Sequence, residues 1–179
     1  MTIHFADSTS IDSGGSLGKI SQVVSNTKND QASFNHSTGV LSNLEGVFDI
    51  SITPSSSSNK VLVRFSLTVG VANSTAVTGE LFRKIGSTET SLHKPASAGN
   101  RNLITTGIAV NNGHNPSCLT VEFLDSPNTT SACKYYLKLD QMTGTLSTKY
   151  LNRSHVDTNA NSYARGTCHA IAMEVGAWV

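Results

Sequence analysis

Between Val61 and Val71, six apolar residues fall at every second position: Val61, Val63, Phe65, Leu67, Val69 and Val71. Leu62, Arg64, Ser66, Thr68 and Gly70 occupy the positions between them. A period of two puts all six on one face of an extended chain and the mixed set on the other. A helix would scatter them around its circumference, so the run predicts a long strand in a sheet that is wet on one side. Such a strand must bury its apolar face against a second layer.

The rest of the chain supplies that layer. Phe48, Ile50 and Ile52 alternate in the same way and stop at Pro54, with Ser55 to Asn59 as a turn, which predicts a hairpin or a crossing between sheets. Leu119, Val121 and Phe123 are answered by Tyr135, Leu137 and Leu139 across the turn DSPNTTS, which predicts a second hairpin. Weaker strand signals run from Ile20 to Val24, Thr78 to Ile85, Leu103 to Val110 and Thr145 to Leu151. Near the C-terminus, His169, Ile171, Met173 and Val175 fall on one face of a closing strand, the alternation of a half-buried strand, and His169 on that apolar face is expected to be a core or interface residue. No segment sustains a helical period. The expected fold is all-β: an antiparallel, jelly-roll-like β-sandwich of eight or nine strands over residues 18–179, with helix content close to nil.

Residues 1–17 read differently. Ile3 and Phe5 alternate with Thr2 and His4, and the flexible SGGS of Ser13 to Ser16 follows. A tag this short does not hold itself together in water and needs an edge to pair with. Ile3, His4 and Phe5 are therefore expected to form a partner-binding arm that adds a strand to its own domain or to another chain.

Charged residues are 14% of the chain and the formal net charge is +1, which gives no electrostatic reason to expect nucleic acid or an anionic membrane. No apolar run approaches the ~18 residues of a membrane span, and MTIHFADSTS has neither the basic nor the apolar part of a secretory signal. Three cysteines, Cys118, Cys133 and Cys168, in a chain without such a signal favour free thiols. If Ser126 to Ser131 makes a hairpin turn, Cys133 lies near Leu124 and Cys118 near Leu139, out of register for a disulfide. The four sequons at Asn35, Asn73, Asn128 and Asn152 are ascribed to the abundance of Asn, Ser and Thr.

The polar loop from Arg153 to Gly166 gathers the residue types of several sites. Asp157, Asn159 and Asn161 have the spacing that begins a calcium loop, but position six is Ser162 and position twelve is Cys168, so one carboxylate is left to hold an ion. Ser154, His155 and Asp157 are adjacent in sequence, which is not the geometry of a catalytic triad. No GxSxG elbow, HExxH helix or CxxC pair occurs. The six histidines are scattered. The expectation is no catalysis, no cofactor and no metal. Arg153 and Arg165 are expected to brace the loop through Asp157 or through a carboxylate on a neighbouring subunit, and Trp178 to pack the C-terminal end against something outside it.

Four segments in order carry a resemblance: GKISQVVSNTK (Gly18 to Lys28), SITPSSSSNKVLVRFSL (Ser51 to Leu67), FLDSPNTTSACKYYLK (Phe123 to Lys138), and YLNRS with Asp157, Asn159, YARG and a final AMEV. Together they resemble small virion structural or tail-fibre proteins of marine tailed bacteriophages. The resemblance implies a jelly-roll-like domain that works as a homotrimer on the outside of a virion assembled in the bacterial host cytoplasm. Two roles follow from it. One is a capsid decoration (cement) protein held to the major capsid protein by the arm. The other is the head of a tail or neck fibre that reads the host surface with loops such as Arg153 to Gly166 and Ser91 to Arg101.

Overall fold

In the computed structural model the described residues are 3–4, 10–11, 20–34, 41–72, 75–97, 99–110, 114–141 and 147–176. They form fourteen strands and no helix: β1 (Ile3–His4), β2 (Ser10–Ile11), β3 (Ile20–Lys28), β4 (Ala32–Phe34), β5 (Ser42–Asn43), β6 (Asp49–Ile52), β7 (Lys60–Val71), β8 (Thr75–Ile85), β9 (Thr88–Leu92), β10 (Thr106–Val110), β11 (Ser117–Asp125), β12 (Cys133–Gln141), β13 (Lys149–Leu151) and β14 (Cys168–Val175). β1 and β2 make a two-stranded ribbon, and the other twelve make two six-stranded antiparallel sheets. The first sheet runs β10-β8-β12-β5, with β6 also on β12 and β9 also on β8. The second runs β3-β14-β7-β13-β4, with β11 on the other side of β7. The chain passes from one sheet to the other at β4–β5, β6–β7, β7–β8, β10–β11, β11–β12 and β12–β13, the alternation of a jelly-roll-like sandwich.

The expected fold class is what forms. The strands beyond the eight or nine expected are short pieces such as β4, β5 and β9, too brief to show a period. β7 lies where its pattern put it: Val61, Val63, Phe65, Leu67, Val69 and Val71 are all fully buried, each contributing roughly 1.5–3 kcal/mol. Across the gap they meet Leu81, Leu137, Leu139 and Phe48, whose ring stands edge-on to Phe65 at 6.1 Å.

Two expectations need correction. β11 and β12 are not a hairpin: β11 pairs with β7 and β12 pairs with β8 and β6, in opposite sheets. Residues 126–132 form a crossing long enough to span the ~10 Å between packed sheets. The two alternating sets face each other across the core instead of lying side by side. The three cysteines are free, with Cys118 exposed on one sheet and Cys133 buried on the other.

The closing strand β14 is turned over relative to its apolar pattern. Cys168, Ala170, Ala172 and Glu174 face the core, while His169 is exposed and Ile171, Met173 and Val175 lie on the outer face half-buried. The reason is volume. β14 sits between β3 and β7, with Ala170 beside Phe65 and Ala172 beside Val63, and small side chains are what fit next to that ring. Glu174 completes the inward face without an unpaired charge. Its carboxylate accepts from the Ser55 amide (2.6 Å), the Ser55 hydroxyl (2.7 Å) and Asn59 Nδ2 (2.6 Å). Burial opposes ionisation there, but these hydrogen bonds outweigh it and hold the carboxyl below its ordinary range. The Ser-rich crossing between β6 and β7 is thereby tied to the last strand.

Between the sheets lies one polar staple. Asp125, at the end of β11, accepts both contacts from Arg83 Nη1 (2.9 and 2.7 Å) and one from the Tyr135 hydroxyl (2.8 Å). Arg83 and Tyr135 belong to the opposite sheet.

Candidate functional site: the C-terminal loop

The polar loop leaves β13 at Asn152 and returns to β14 through Gly166. Its two ends are zipped: Arg153 and Arg165 form an antiparallel bridge, the Ser154 amide donates to the Ala164 carbonyl (3.1 Å) and the Gly166 amide to the Asn152 carbonyl (3.1 Å). The loop is also pressed onto β7. A Cβ on Gly70 would stand 2.3 Å from the Arg153 carbonyl oxygen, and one on Gly166 would stand 2.5 Å from Thr68 Cγ2. These two glycines are required by close approach.

Asn152 is the pivot. It takes a left-handed φ of 62°, which Asn tolerates better than most residues. Its side chain is buried and donates to the carbonyls of Lys28 (2.7 Å) and Asp30 (2.9 Å), while its Oδ1 accepts from Cys168 Sγ (2.9 Å). Burial pushes the Cys168 thiol up to about 11, so it stays protonated and able to donate. One side chain thus joins β3, β13 and β14. The sequence singled out Asn152 only as a sequon, and its burial explains why that motif is not an acceptor site here. An Asn directly after a strand, at a turn needing positive φ, was the signal available.

The expected bracing residues divide. Arg165 Nη2 pairs with Asp157 Oδ1 at 2.6 Å, both well exposed. Arg153 reaches no carboxylate among the described residues. Its guanidinium donates to the carbonyls of His155 (2.9 Å) and Ser154 (3.3 Å) and stacks on the Tyr150 ring at 3.9 Å. Tyr150 also contacts the His155 ring, and Tyr163 the His114 ring. The Ser154 hydroxyl donates to the Val156 carbonyl at 2.7 Å, so Ser154, His155 and Asp157 each turn to a different partner. Among the described residues no three His, Cys, Asp or Glu side chains converge as metal ligands.

What the loop leaves open is a polar cleft of about 260 Å³, bounded by Asp157, Asn159, Tyr163, Ala164 and Arg165. Trp178 and Phe5 lie outside the described residues. Ile3 and His4 form β1, whose register partners are Ile11 and Ser10 of β2. The arm's first strand is thus paired within the arm.

Lys149, on β13, belongs to no pattern that would have singled it out. It is fully buried, and its ammonium has no hydrogen-bond acceptor among the described residues. Burial pushes its pKa down to about 8, only partly offset by the charge of Asp140.

The chain is therefore an all-β antiparallel sandwich carrying a self-braced polar loop. No protein-family model matches it and no curated protein matches it. Solved structures similar to it include a mutant VP2 protein of infectious bursal disease virus in derived T=1 particles, with a TM-score of 0.41 and 15% identity over 87% of this chain and 36% of that one. The Gt strain of the same virus gives a TM-score of 0.41 and 10% identity over 94% and 40%. The Gx strain gives 0.38 and 12% over 87% and 40%. The chain thus spans two-fifths or less of these three chains, and likeness at this level carries no functional argument.

Proposed function

We propose that the chain is a non-enzymatic structural protein of a tailed-phage virion: a homotrimeric capsid decoration protein, anchored to the major capsid protein by its N-terminal arm. The observation that supports it is how the loop uses its polar groups. Asp157, Arg165, Arg153 and Ser154 are spent on holding the loop to itself and to β7, which suits a domain whose task is to keep its shape. The family resemblance supplies the virion, and the paired ribbon at residues 3–4 and 10–11 supplies a backbone edge for attachment. A second reading, the head of a tail or neck fibre, draws on the polar cleft beside Asp157 and Arg165, where a surface ligand would meet both charges.

Copy number separates the two. Densitometry of purified virions against the major capsid protein is expected to give a ratio close to that of the shell's own subunits. A ratio an order of magnitude lower would sink the decoration role in favour of the fibre.

A further inference from the structure

The outer face of the second sheet carries an apolar row that runs straight across four strands. Val23 of β3 is the register partner of Met173 of β14, Met173 of Leu62 of β7, and Leu62 of Leu124 of β11. Val23 is 56% exposed and Leu124 43%, and Ile20, at the end of β3, is 54% exposed. With Val47 they are the exposed large hydrophobics among the described residues, and three of the four sit on this sheet. A sandwich whose closing strand presents Ile171, Met173 and Val175 outward has an apolar stripe that its own core does not use. Contiguous apolar surface of this kind marks an interaction site.

We infer that this face seats a second copy of the chain, packed face to face about a two-fold axis parallel to the strands between β14 and β7. The rows are self-complementary about that axis. Val23 lies over the partner's Leu124 and Met173 over the partner's Leu62, so apolar meets apolar along the whole row. In the next row the register partners are Ser25, Ile171, Arg64 and Glu122. Reversed, they place Arg64 over Ile171 and Glu122 over Ser25. No like charges oppose each other, each Arg64 keeps its cross-strand neighbour Glu122, and its aliphatic stem covers Ile171. The two sheets meet as aligned sheets do in a sandwich.

The geometry also limits the strength. Four strands at ~4.8 Å spacing and ~20 Å of length give a face on the order of 400 Å² in plan. That is about half of the ~800 Å² that each partner brings to a standard interface, so the association is weak. A face that mates with itself closes with two copies, whereas the three-fold contact of the proposed decoration trimer uses other surfaces. The particle in solution is therefore a dimer if only this contact forms and a hexamer if both do.

Light scattering on the eluting full-length protein, run as a series of rising chain concentration, is expected to climb to two or six times the 18.9 kDa of one chain. Leu124→Lys and Val23→Lys, both at exposed positions, should halve that mass while the thermal unfolding midpoint stays near the wild-type value. In a Cys118→Ser background, Val23→Cys mixed with Leu124→Cys should be joined between chains by a short bismaleimide linker, which spans the ~10 Å between the backbones of packed sheets that a direct disulfide does not. A mass of one or three chains, an even mass that neither lysine variant lowers, or the absence of that cross-link would overturn the inference. The same measurement keeps the readings apart: two chains sinks the trimer and leaves the face, and three chains does the reverse.

Discussion

The hydroxyl of Tyr135 donates to the carboxylate of Asp125 at 2.8 Å across the gap between the two sheets. Arg83 reaches the same carboxylate from beside Tyr135, so a buried charge is fully surrounded by partners from the opposite layer. Burial, then the adjacent Asp125 charge, raises the Tyr135 phenol far above its ordinary value, and it remains a donor at any pH the fold survives.

Tyr135→Phe removes one of the partners and is expected to cost about 1.5–3 kcal/mol, the worth of a hydrogen bond to a charged group. Arg83→Met strands the carboxylate and is expected to cost about 3–5 kcal/mol. Urea titrations of both variants check the order, and equal losses would mean that Asp125 is not held as described.

Gly70→Ala forces a Cβ into the Arg153 carbonyl oxygen, which stands at 2.3 Å from that position. The loop from Asn152 to Gly166 must lift from β7, at a cost of about 1–3 kcal/mol. Hydrogen exchange is expected to show faster exchange at the Asn152, Ser154 and Gly166 amides and unchanged protection in β8 and β12.

Lys149 makes stability depend on pH in an uncommon direction. Its folded pKa, about 8, lies below its ordinary value near 10.5, so between these limits the unfolded chain binds a proton that the folded chain has released. The contribution of Lys149 to stability therefore rises with pH across that window, by up to about 3 kcal/mol. Lys149→Met should be more stable than wild type at pH 7, with the difference shrinking as the pH rises. Denaturant midpoints at pH 7 and pH 10 for both proteins test this, because the raised thiol of Cys168 acts equally in both, and a difference that does not shrink would contradict it.

Deleting residues 2–12 removes β1 and β2 and leaves both sheets of the sandwich intact. The shortened protein is expected to unfold at the wild-type midpoint and to lose co-sedimentation with virions that lack the native protein. Retained binding would place the anchor elsewhere.

What was legible in the sequence was alternation, and what was not was partnership. The period of two in β7, β11 and β12 gave each strand its inward face correctly, because burial of Val, Leu and Phe dominates at those positions. It could not say that β11 and β12 lie in different layers, since residues facing across a core and residues paired along a hairpin show the same pattern. In β14 the larger apolar residues pointed the wrong way, because Phe65 had already taken the volume beside Ala170. In the loop, the cluster of Arg153, Asp157 and Arg165 was visible, and Arg165 does pair with Asp157. The parts that seat the loop were not visible, because Gly70, Gly166 and Asn152 act through the close approach of distant backbone, which no local pattern records.

The repeated crossing between sheets sets how the molecule must come together. Within the two sheets, β8 and β9 are the one pair of consecutive strands hydrogen-bonded to each other, joined through Gly86 at φ 58° as the first central residue of a two-residue turn. Every other ladder joins segments separated by at least one further strand, so loop entropy is spent before any contact repays it. Such a chain folds slowly for its size. The β8–β9 hairpin is the place where the search can begin, and its early appearance in a kinetic experiment would mark it as the seed around which the distant strands are collected.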